Sequence, residues 1–183
     1  GANMVAKAAP DGYTLLLASA SMGVSAATHA EKLPYDAVRD FTPIILMASS
    51  PVVLVSHLAP TEHSQLSGLL AGVTRMPVVE ATNEAVVEAD HVYVIPPDAT
   101  MLLREGRLVL EPRARHPMPI DAFLRSLALG RRSKAIGVIL SGTGTDGALG
   151  VQAIKAEGGV TFAQDVQSAR FDGMPNAAAS TGC

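Results

Sequence analysis

"AIGVILSGTGTDGALGVQAIKAEGGVTFAQD", residues 135–165, carries the pattern that decides the fold. It opens on "AIGVIL", an apolar run of strand length rather than helix length. The glycine-rich loop "SGTGTDG" follows at 141–147, then a helical stretch, "ALGVQAIKAEGG", at 148–159. "VTFAQD" at 160–165 returns to a strand. Strand, loop, helix and strand in that order form the crossover unit of a parallel sheet.

The same rhythm extends in both directions. Downstream, "SARFDGMPNAAAS" at 168–180 begins a last helix. Upstream, "PIDAFLRSLALG" at 119–130 places Ile120, Phe123, Leu124 and Leu127 on one helical face, with Gly130 as its C-cap. "TMLLREGRLVLEP" at 100–112 reads as a hairpin turning at Glu105-Gly106. Short strands are expected in "HVYVIPP" and "MPVVEA", and a helix in "TEHSQLSGLLA" with Thr61 as N-cap. "FTPIILMASSPVVLVSHL" gives two apolar runs, 43–48 and 52–56, divided by Pro51, which cannot donate to a ladder. Nearer the start, "YTLLLAS" at 13–19 follows an Asp-Gly turn as a buried-strand pattern, and residues 22–33 suit a helix stopped by Pro34. The expected fold class is therefore α/β. It is a doubly wound, mainly parallel Rossmann-like sheet with helices on both faces and an edge β-hairpin near 100–111.

Composition agrees with that class and removes several others. The 183 residues suit a single domain with a sizeable core. Hydrophobic residues are 48% and charged residues 17%, which excludes a disordered or fibrous chain. Net charge is −3, and the densest cationic cluster, Arg131, Arg132 and Lys134, is too small for a nucleic-acid surface. It reads as a solvated helix-to-strand turn. Cys183 is the one cysteine, so no internal disulfide forms, in keeping with a reducing compartment. Histidines 29, 57, 63, 91 and 116 are scattered without ligand spacing, so no metal or cofactor is expected. The opening "GANMVAKAAPDGY" lacks the basic and apolar regions of a secretory signal, and no apolar stretch is long enough to cross a bilayer. The expectation is a cytoplasmic protein with no membrane insertion.

Ligands of doubly wound sheets bind where strands end and loops enter helices. Three such loops carry reactive side chains. One holds Ser21 within "SASMGV" at 19–24, another begins with His57, and the third contains Asp146. A hydrolytic triad needs a hydroxyl, a histidine to take its proton and a carboxylate to hold the imidazole, whatever their order along the chain. Ser21, His57 and Asp146 supply these three. Each also has a plainer reading: Ser21 as a small strand-end residue or helix cap, His57 as a buried imidazole bonded to a carbonyl. Asp146 equally suits a cap on the helix that starts at Ala148. "GTGTDG" lacks the Gly-Lys-Ser/Thr ending of a phosphate-binding P-loop. Its glycines instead bring backbone amides close to a ligand, as an oxyanion site requires.

From His57 onward the chain resembles the catalytic domain of the CheB-type chemotaxis protein-glutamate methylesterases. The matching stretches are "SHLAPTEHSQLSGLLAGVTRMPVVEA", "HVYVIPPDATMLL", "RHPMPIDAFLRSLA", the 135–165 stretch and "ARFDGMPNAAASTG". The resemblance implies a serine hydrolase that removes methyl groups from glutamate esters on chemoreceptor helices, releases methanol and deamidates particular glutamines. It implies His57 as catalytic histidine and Asp146 as its aspartate. The loop positions implied for the oxyanion are Met22, Thr143 and Gly144. Partners would be methylated chemoreceptor helices.

Residues 1 to about 55 carry a different resemblance. "VAKAAPDGYTLLLAS" and "KLPYDAVRDFTPIILMASSPVVLV" are similar to the first lobe of the TctC-type solute-binding proteins of tripartite tricarboxylate transporters. The chain then reads as one α/β domain of chimeric sequence, natural or engineered, joined near Pro51 to Ser56. Ser19 and Val24 stand where the methylesterase nucleophile motif has glycine, and Ser56 stands where it has glutamine. A folded but catalytically silent chimera is the alternative reading, and a carboxylate-binding module a further one. The family continues beyond the position of Cys183, so an exposed sheet edge and self-association are expected.

Overall fold

A computed structural model describes residues 2–9, 33–36, 39–41, 50–56, 66–113 and 118–182. The chain divides into two compact units, Gly1–Ala48 and Ser49–Cys183. In the first, helix α1 spans Ala2–Ala6. Further along that unit, a turn is closed by Asp40 N–H donating to the Asp36 carbonyl at 3.0 Å, and the Tyr35 and Phe41 rings meet edge to face at 5.7 Å. The strand expected at 13–19, the helix at 22–33 and the strand at 43–48 lie outside the described residues.

The second unit alternates strands and helices. Its elements are β1 (Val52–Leu54), α2 (Leu66–Ala71), β2 (Val78–Glu80), β3 (Ala85–Val86), β4 (Val92–Val94), β5 (Ala99–Arg104) and β6 (Arg107–Pro112). They continue with α3 (Pro119–Arg131), a short 3₁₀ turn (Arg132–Lys134), β7 (Ile136–Ile139), α4 (Ala148–Ala156), β8 (Val160–Ala163) and α5 (Gly173–Ser180). Central β4 pairs in parallel with β1 on one side and β2 on the other, and β7 pairs in parallel with β8. The mixed α/β class with parallel strands and helices is thus the one the sequence indicates.

The hairpin forms where its turn chemistry places it. Arg104 faces Arg107 across a two-residue loop in which Glu105 and Gly106 both take positive φ, 49° and 79°. Two positive φ values define the primed turn whose twist matches that of its strands. The hairpin also carries β3 on its outer strand, so β3-β6-β5 is an antiparallel sheet of its own. Among the described residues no ladder joins it to the parallel strands.

The core lies between α3, α4 and the strands, around Met101, Leu108, Phe123, Leu124, Ile139, Val151 and Ile154. Strand β4 is buried at all three positions, as a strand covered on both faces should be. In β7 the pattern alternates: Gly137 and Ile139 are buried, while Ile136 and Val138 are 52% and 42% exposed. The buried face of β7 packs on α4, where a Cβ on Gly137 would meet Ile154 Cδ1 at 2.8 Å.

The end of α3 differs from the expectation. Gly130 is not the C-cap of α3, which continues through Arg131. Gly130 remains helical and lies under Leu103, where a Cβ would sit 3.4 Å from Leu103 Cδ2. Arg132 takes the positive φ (49°) after the helix and donates its N–H to the Ala128 carbonyl.

Candidate functional site

The loop between β7 and α4, residues 141–147, is fixed from two sides. On one side it is laced to the segment before α5. Gly142 N–H donates to the Phe171 carbonyl at 3.0 Å, and Met174 N–H donates to the Gly142 carbonyl at 2.9 Å. Ser141 Oγ accepts from Phe171 N–H at 2.9 Å, and Ser141 N–H donates to Gln164 Oε1 at 2.7 Å. Gly142 is a packing requirement, because a Cβ there would overlap Met174 Sδ.

On the other side the loop is held by Asp146, which is 3% exposed. Its Oδ2 accepts from Ile120 N–H at 3.0 Å and its Oδ1 from Asp121 N–H at 2.8 Å. Those are two of the amides at the start of a helix that have no partner within the helix. Asp146 is therefore a helix cap, but of α3 rather than of the helix beginning at Ala148. Gly147 occupies the N-cap of α4 at φ 97° and offers no side chain for the purpose. That φ turns the chain into the helix while Asp146 points across to α3.

Helix α4 is capped in return. Asp121, in the first turn of α3 and 5% exposed, accepts from Gly150 N–H at 2.7 Å through Oδ1. Burial pushes the Asp121 carboxyl above the usual carboxylate range; the Gly150 N–H opposes this and the Asp146 charge adds to it. The two helices approach closely because Gly150 has no side chain: a Cβ there would lie 2.5 Å from Leu124 Cβ.

Thr143, Gly144 and Thr145 form the exposed crest of the loop, with Gly144 at φ 82°. Thus three residues singled out from the sequence, Thr143, Gly144 and Asp146, share one anchored loop at the carboxyl end of a parallel strand. Ser21, Met22 and His57 lie outside the described residues. Among the described residues no group of His, Cys, Asp or Glu is arranged to hold a metal ion, and no helix is long and apolar enough to cross a membrane.

Asp121 was not evident from the sequence. An acidic residue in the first turn of a helix is common and is ordinarily solvated. The available signal was its place one turn before Leu124 and two before Ala128, on the apolar face.

Comparison with known proteins adds to this geometry. Residues 35–183 match the family described as CheB methylesterase. A protein-glutamate methylesterase/protein-glutamine glutaminase 2 from Vibrio vulnificus is 34% identical over 155 residues, covering 80% of this chain and 45% of that protein. An uncharacterized 104.1 kDa protein of Rhodobacter capsulatus is 52% identical over 120 residues, covering 64% of this chain and 12% of its own length. The chain thus spans less than half the length of these curated relatives. The crystal structure of the Thermotoga maritima CheB methylesterase catalytic domain superimposes with a TM-score of 0.64 at 28% identity, covering 73% of this chain and 75% of that one.

Proposed function

The chain belongs to the CheB methylesterase family, and on that premise we propose that it acts as a serine hydrolase on glutamate methyl esters of chemoreceptor helices. The observation that carries the reading is Asp146, a buried carboxylate fixed by two amides at the end of a parallel strand, beside an exposed glycine-bearing crest. A carboxylate held in this way is preorganised to orient an imidazole and to stabilise its protonated form.

In the proposed reaction Asp146 orients His57, which takes the proton of Ser21 Oγ as that oxygen attacks the ester carbonyl. The oxyanion so formed is stabilised by backbone amides at Met22, Thr143 and Gly144. His57 then returns its proton to the methoxide as methanol leaves, giving an acyl-serine. Water, deprotonated by His57, hydrolyses this intermediate to the free glutamate and restores Ser21. The same steps on a glutamine amide expel ammonia, which is the deamidation activity. No metal or organic cofactor takes part in these steps.

A second reading is a folded chain without turnover. It is favoured by the position of Ser21, which lies before the first residue, 35, of the matched family region. It also agrees with the resemblance of the opening segment to solute-binding proteins. A displacement of about 1 Å at a nucleophile costs on the order of 100-fold in rate.

A fluorophosphonate probe separates the two. An activated serine attacks its phosphorus, fluoride leaves, and the adduct is located by mass spectrometry. The hydrolase reading predicts an adduct on Ser21 that is lost in His57→Ala. An unlabelled Ser21 in the folded wild-type chain would overturn its assignment as nucleophile.

A further inference from the structure

We infer that Asp121 is a positioning residue for the reaction, holding the Asp146 carboxylate in place through a reciprocal exchange of helix caps. The inference rests on the reading of Asp146 as the carboxylate that orients His57.

The exchange is closed. Asp146, at the end of the loop before α4, binds the amides of residues 120 and 121 at the start of α3. Asp121, at the start of α3, binds the amide of Gly150 in the first turn of α4. Neither helix receives a side-chain hydrogen bond from its own N-cap residue, Met118 or Gly147. Separation of the two first turns would therefore break all three bonds together. Loop 141–147 runs directly into α4, so the position of that helix against α3 fixes where the Asp146 carboxylate sits. The contact of Gly150 with Leu124 brings the helices near enough for the exchange.

Stability alone does not explain the arrangement. A serine, threonine or asparagine at each N-cap would satisfy such amides without burying charge. Here two carboxylates are 5% and 3% exposed and close enough to repel. Buried like charges cost free energy, and a buried acid perturbed by a second acid is a candidate for a functional role. Asp146 has that chemistry in the proposed reaction. Asp121 is the group that returns its cap and so fixes the frame in which Asp146 is held.

The test uses the full chain and three variants, Asp121→Ala, Asp121→Asn and His57→Ala. Amide hydrogen exchange is followed at residues 120 and 121, and methanol release is measured on methylated chemoreceptor. In Asp121→Ala those amides, which Asp146 holds, should exchange at least about ten-fold faster, as expected when a local cap opens. Its kcat should fall about 10- to 100-fold with KM within about two-fold. Asp121→Asn keeps an acceptor oxygen for Gly150 N–H and should restore kcat to within about three-fold. Unchanged exchange at residues 120 and 121 would overturn the inference. So would a loss of turnover that merely follows the folded fraction in a thermal melt. Turnover that survives His57→Ala would instead defeat the hydrolase reading, and the exchange data would still decide whether the two acids clamp one another.

Discussion

Asp146 and Asp121 show how one residue type serves different ends through its surroundings. Both are buried acids beside helix starts, and burial raises the pKa of the Asp121 carboxyl above the usual carboxylate range. Its native pKa lies above the unfolded value of about 3.9. The native state then holds the proton more tightly than the unfolded state does. The resulting stability is fully present below the unfolded pKa and is lost as pH rises through the native one. Asp121→Asn carries no such charge. Its melting temperature relative to wild type should therefore be higher at pH 7 than at pH 4. A difference that moved the other way would show that the amide of Gly150 outweighs burial and that the ionised form is the favoured one.

At the scale of elements, the hairpin and the α3–α4 pair differ in what holds them. The β5–β6 hairpin is set by local chemistry: a two-residue loop and alternating apolar residues made it legible from sequence. Its weak point is Glu105, a side chain with a Cβ at φ 49° where Gly or Asn is preferred. Glu105→Asn should raise stability by up to about 1 kcal/mol, read as a rise of a few degrees in melting temperature. A fall would mean that the Glu105 side chain contributes more than its backbone strain costs.

Helix α3 was legible for the opposite reason, through the spacing of Ile120, Phe123 and Leu124. Its end was not. Gly130 reads locally as a stop, but packing under Leu103 keeps it helical, and Arg132 takes the left-handed position. Tertiary contact overrides propensity there. The cap of α3 was hidden in the same way, because its accepting acid lies 25 and 26 residues away. No local pattern connects Asp146 to residues 120 and 121.

For the molecule as a whole, the parallel class was readable from residues 135–165, since strand, glycine loop, helix and strand recur as β7, loop, α4 and β8. What composition did not disclose is that β7 has one buried and one half-exposed face, because burial depends on which elements lie across the sheet. The loop carrying Thr143, Gly144 and Asp146 is readable as a loop from its glycines and its place after an apolar strand. Its anchoring to Phe171, Met174 and Gln164 comes from long-range bonds that sequence spacing does not encode. Family membership and the anchored Asp146 carboxylate are the two supports of the proposed ester hydrolysis.

Methanol release from methylated chemoreceptor, compared between the wild-type chain and Asp146→Ala at matched folded fractions, decides the role of Asp146 in that reaction. Measurable release by the wild type and a loss of at least about 10³-fold in the variant are expected, the scale of removing a member of such a triad. Equal release by the two folded proteins would contradict that role, and would leave Asp146 as a helix cap alone.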